Sequence, residues 1–117
     1  MELFIKILKE FEFTDAEVQE HARTIAKLIV VRFKKKLESE LTAEEKRALP
    51  EGYLQFEHIL DIATVPAEEL RRKLALALGV VTIGIVAELV EASKKEIKLS
   101  DAQRSRVYSL LNTYFGI

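Results

Sequence analysis

The chain has 117 residues, 49% hydrophobic and 32% charged, with a formal net charge of −1 and no cysteine. That size and apolar content suit one domain with its own core and exclude a chain disordered by composition. The lack of cysteine excludes disulfide frameworks, thiolate-held metals and thiol nucleophiles, and near-neutral charge supplies no global field to recruit nucleic acid or an anionic membrane surface.

The opening stretch MELFIKILKEFEF is not read as a secretory leader. Glu2 stands where a basic region belongs, Lys6 and Lys9 interrupt the apolar run, and no small-residue cleavage site follows. A cytoplasmic chain is expected. Phe4, Ile7, Leu8 and Phe11 fall at i, i+3, i+4, i+7, which predicts a helix over 2–11. Thr14-Asp15-Ala16-Glu17 then forms a capping box, in which the threonine hydroxyl and the third residue's carboxylate each satisfy the other's free backbone N–H. Behind it a helix over 15–40 carries Val18, Ala22, Ile25, Ile29, Phe33 and Leu37 along one stripe.

Thr42-Ala43-Glu44-Glu45 repeats the box and opens a short helix over 43–49, and Pro50-Glu51-Gly52 ends it. Phe56, Ile59, Leu60 and Ala63 predict a fourth helix over 53–63. Pro66, with Glu68 and Glu69 suited to a positive helix end, starts a fifth over 66–96, whose closing Lys94-Lys95 suit the negative end. A third box, Ser100 to Gln103, opens a sixth over 101–115 with Val107, Leu110, Leu111 and Tyr114 on one stripe and Gly116 as a left-handed stop. The expected fold is all-α, a compact bundle of about six helices in a single domain spanning 1–117.

Within the fifth helix Leu74 to Ala87 carry no charge. Fourteen helical residues reach about 21 Å, short of the roughly 30 Å of a bilayer's hydrocarbon, and Arg71-Arg72-Lys73 and Glu88 close the two ends. No membrane span is expected. The β-branched run Val80–Val86 also reads as a strand, but a strand needs paired neighbours and only Leu3–Leu8 offers one. A helix buried around most of its girth is the preferred reading. Ala75, Gly79 and Gly84 give it a track of small residues where another backbone can come close.

Chemical motifs are absent. Neither His21 nor His58 has a Glu three residues before it, so the Glu-x-x-His pairs of helical di-metal sites are missing. No nucleophile elbow and no phosphate-cradling glycine loop occurs. An enzyme, a metal and a cofactor are therefore not expected. The expected role is a protein–protein interaction or structural module that self-associates, a dimer being favoured, through Leu76, Gly79, Val80, Ile83 and Ala87, whose small and β-branched side chains permit close helix approach. A different helical protein is the other partner considered. The rival reading is a nucleic-acid accessory protein using Arg23, Lys27, Lys34 and Arg71, although consecutive lysines point about 100° apart and Glu38, Glu40, Glu44 and Glu45 follow them.

Overall fold

The three capping boxes mark helix starts in the structure, a computed structural model in which residues 2–10, 13–55, 58–92 and 100–115 are described. Thr14 Oγ1 accepts from the Glu17 N–H at 3.2 Å while a Glu17 carboxylate oxygen accepts from the Thr14 N–H at 3.0 Å. The same reciprocal bonds join Thr42 to Glu45 and Ser100 to Gln103. The helices are α1 (Glu2–Glu10), α2 (Asp15–Glu40), α3 (Ala43–Ala48), α4 (Glu68–Ala92) and α5 (Asp101–Phe115), and no strand occurs among the described residues. Phe11, residues 93–96 with Lys94-Lys95, and the Gly116 stop lie outside the described residues.

The run 80–86 is helix, inside α4. Its buried hydroxyl is accommodated there, because Thr82 Oγ1 donates to the Leu78 carbonyl one turn back at 2.7 Å. None of the described helices is long and apolar enough to cross a membrane.

Four helices close a ring in which α1 packs on α2, α2 on α4, α4 on α5 and α5 on α1. Cross-contacts fix the directions. Arg32 of α2 reaches Glu88 near the end of α4, whereas Glu45, just beyond α2, reaches Lys73 near its start, so α2 and α4 run antiparallel. Arg106 reaches Glu10, while Phe115 shares a cavity with Leu3 and Phe4, so α1 and α5 also run antiparallel. The 26 residues of α2, at about 1.5 Å each, set the 43 Å long axis.

Inward, the ring is filled by Ile7 and Leu8 of α1, Ile25, Ile29, Phe33 and Leu37 of α2, Leu74, Leu78, Ile85 and Val86 of α4, and Val107 and Leu111 of α5, all essentially inaccessible. This is the stripe that the 3.6-residue spacing of α2 predicts. Lys73 Nζ donates to both carboxylate oxygens of Glu45 at 2.9 Å and thereby holds α3 against α4. With the Thr42 backbone N–H also donating, this holds the Glu45 carboxyl below its usual range.

In the segment predicted as a fourth helix, 53–63, none of the described residues is α-helical, and Phe56 lies outside them. Its described part is a string of tight turns in which each third N–H bonds three residues back: Gln55 to Gly52, His58 to Gln55, Asp61 to His58 and Thr64 to Asp61. Only Ile62–Thr64 winds into a 3₁₀ turn. The apolar period explains the change. Ile59, Ile62 and Val65, spaced by three, are buried, whereas Ala63 of the expected stripe is exposed. A period of three suits 3₁₀ geometry, β-branched residues favour an α-helix less, and Pro66 holds Val65 extended. Gly52 enters the segment at φ +75°, a left-handed conformation open to glycine.

Tyr53, also in this segment, is buried with its hydroxyl lacking a hydrogen-bond partner. Burial first, and the nearby Asp61 carboxylate second, raise its phenol pKa above the ordinary 10.0. The fold therefore favours the neutral phenol. Stability is untouched below pH 10 and falls as the pH climbs above it, because the unfolded chain ionises first. Tyr53→Phe is expected to raise stability by about 1 kcal/mol, since an unsatisfied hydroxyl leaves the core, and to blunt alkaline unfolding. Denaturant melts at neutral pH and above pH 10 measure both effects; a destabilised phenylalanine variant would show that the hydroxyl is bonded.

Candidate interaction surface

Helix α4 buries Leu70, Leu74, Ala75, Ala77, Leu78, Thr82, Ile83, Ile85 and Val86, so most of its circumference faces the ring. One exposed row runs most of its length, Glu68, Arg72, Leu76, Val80, Gly84 and Glu88, every fourth residue, with Glu69, Lys73 and Glu91 exposed beside its ends. Residues four apart are neighbours on a helix, each step turning about 40°, so these six form one inclined ridge that winds about 200° around α4, from beside α5 at Arg72 and Leu76 to beside α2 at Glu88. Its composition is ordered, with charges at both ends and apolar residues in the middle.

Leu76 is 58% exposed and Val80 45% exposed, whereas the other side chains of the uncharged run are largely turned inward. Ala87 is half-buried beside the ridge and Ile83 retains 9% exposure. The two helical glycines differ sharply. A Cβ at Gly79 would collide with the Tyr108 ring of α5 and come within 3.3 Å of a Leu111 methyl, so its missing side chain is explained by the chain's own packing. A Cβ at Gly84 would meet nothing within 4 Å. A glycine inside a helix costs about 0.8–1 kcal/mol relative to alanine, and for Gly84 no described residue of the chain supplies a packing reason for that cost.

The ridge ends are tied down. Arg72 bonds Glu68 at 3.2 Å, and Glu88 bonds Arg32 of α2 at 2.9 Å. Both partners of each pair keep more than a third of their side-chain surface exposed, so these pairs orient charge more than they stabilise the fold.

Of the predicted seam, Leu76 and Val80 stand on the ridge and Ile83 and Ala87 flank it. Gly79 does not belong to it: Tyr108 covers that position, and the close approach it permits is made within the chain. Gly84, Arg72 and Glu88 complete the ridge. Their signal in the sequence is the common four-residue step from Leu76 and Val80.

Three of the four residues of the nucleic-acid reading, Arg23, Lys27 and Lys34, fall at i, i+4 and i+11 along one face of α2. Arg23 and Lys27 are exposed in the first half of α2. Arg71 lies in the first turns of α4, which the antiparallel packing places beside the far end of α2, and its Nε is buried without a partner. Lys34 shares a groove with Glu38 and Lys46. Arg71 stands on a different helix from the other three and is only partly exposed.

His21 packs edge-on against Phe13 with ring centroids 5.9 Å apart, and His58 Nδ1 lies 3.4 Å from Asp61 Oδ2. Among the described residues no three His, Cys, Asp or Glu side chains are grouped to hold a metal ion. Among the described residues the other large exposed apolar side chains are Val31 of α2 and Tyr114 of α5; Tyr114 rests edge-on against Phe115 at 5.0 Å and lines a cavity with Leu3, Phe4, Leu60 and Leu78. Exposed apolar residues are ordinary for a folded surface. Comparison with protein-family models, curated proteins and solved structures returns no match.

Proposed function

We propose that this protein is a helical interaction module that self-associates through the outer ridge of α4. The observation that carries this reading is the exposure of Leu76 and Val80 in register with Gly84, whose open Cβ position leaves room for a neighbour's side chain. Leu76 and Val80 adjoin on one helix, and covering them removes apolar surface from water at about 25 cal/mol per Å². One helix on one helix makes a small contact, below about 1,200 Å², so the pairing is reversible.

Sedimentation equilibrium tests the reading. The mass is expected to rise from 13.4 kDa toward twice that value as concentration approaches about 1 mM. Leu76→Glu is expected to remain at 13.4 kDa with unchanged helicity, because that side chain already faces solvent. A wild-type chain that stays at one mass throughout overturns the proposal. If it then binds DNA with a steep dependence on salt, the nucleic-acid reading takes its place.

A further inference from the structure

Resting on that reading, we infer that the second copy lies antiparallel across α4, with the two-fold axis passing beside Val80 and Leu76 of each chain seated over Gly84 of the other. The spacing of the ridge carries the inference. Measured from Val80, Leu76 is four residues toward the N-terminus and Gly84 four toward the C-terminus; Arg72 is eight residues before and Glu88 eight after. A two-fold axis at Val80 therefore pairs each large side chain with the residue that has none. It also pairs each cation with an anion, and it sets Val80 against its own copy.

An isologous contact requires this kind of self-complementarity, since each patch must fit itself after rotation. A parallel pairing in register does the opposite: it sets Leu76 on Leu76, Gly84 on Gly84 and like charges at both ends. The ridge rows also select a geometry. Rows of residues four apart are inclined to the helix axis, and two such rows align when the helices cross at about −50°. At that angle the two ridges run along one another, and the backbones come closest at the centre of the seam.

Gly84 is the key position. No described residue comes within 4 Å of a Cβ built there, and the antiparallel register fills that space with an isobutyl group otherwise left in water. Arg72 and Glu88 each keep exposed side-chain surface beyond their bonds to Glu68 and Arg32, so each can engage the second copy without losing its present partner.

Charge reversal in mixtures tests the register. Arg72→Glu alone sets glutamates against Glu88 at both ends, and Glu88→Arg alone sets arginines against Arg72. Each is expected to weaken the homodimer about tenfold or more by sedimentation. An equimolar mixture of the two is expected to form heterodimers near wild-type strength, and so is the R72E/E88R chain with itself. Gly84→Leu, whose new side chain has open space in the monomer, is expected to keep its helicity and lose association.

Wild-type self-association that survives both single reversals and Gly84→Leu unchanged overturns the register while leaving self-association standing. A wild-type chain that never associates overturns the underlying reading as well. Circular dichroism of each variant separates loss of pairing from loss of fold.

Discussion

Phe33→Ala is expected to cost about 3–5 kcal/mol of folding stability, the usual range for removing a fully buried aromatic side chain from a core that cannot close over the gap. Phe33 has no exposed surface and stands in the middle of the α2 stripe, between Ile29 and Leu37, where α2 meets the other walls of the ring. Domains of this size are stable by about 5–15 kcal/mol, so about a fifth of the total or more is at stake and the melting temperature should fall by about 10–20 °C. Val31→Ala is the control. Its side chain is 52% exposed on the same helix, and a change there should stay within about 0.5 kcal/mol. Denaturant melts followed by helicity compare the two. Equal costs would place the α2 stripe outside the core and undo the ring.

The second large effect is a contrast between two chemically identical substitutions on one helix. Gly79→Ala would place a methyl inside the Tyr108 ring's space, 2.7 Å from its Cδ1 and 3.3 Å from a Leu111 methyl. Forcing a methyl into such a place costs about 1–3 kcal/mol, which exceeds the roughly 0.8–1 kcal/mol gained from alanine's better helix propensity. Gly84→Ala has only the propensity term, because the space above it is empty. The first variant should be destabilised and the second stabilised by about 1 kcal/mol. The cause is tested by removing the obstacle: in a Tyr108→Ala background, Gly79→Ala should turn from harmful to neutral or favourable. Two variants of the same sign would mean that α5 does not press on α4 at Gly79.

Much of the helical architecture was legible because it rests on local chemistry. Caps in which a hydroxyl pairs with a Glu carboxylate at Thr14 and Thr42, and with the Gln103 amide at Ser100, act within four residues, and the stripe from Val18 to Leu37 has a single period, so neither depends on distant parts of the chain. Residues 53–63 are ambiguous in the sequence because Phe56, Ile59, Leu60 and Ala63 satisfy a 3.6-residue period while Ile59, Ile62 and Val65 satisfy a period of three. Only packing against the ring decides between them, and local spacing carries no information about that packing. The uncharged run of α4 shows the same limit at the candidate surface. Its apolar character was plain, yet which face stays open depends on where α2 and α5 lie. Gly79 and Gly84 look alike in the sequence and differ because Tyr108, 29 positions after the first of them, reaches only that one. The ridge itself was present as a four-residue step from Glu68 to Glu88, but without the fold nothing distinguishes that row from its neighbours.

The seam on α4 is tested most directly by the solvent exposure of individual methyl groups as the protein is concentrated, read as signal loss caused by a soluble paramagnetic probe. The Leu76 and Val80 methyls should lose signal in dilute solution and become protected at high concentration, while those of Val31 remain equally attenuated throughout. Leu76 and Val80 methyls as accessible at the highest concentration as in dilute solution would contradict a second copy covering the ridge.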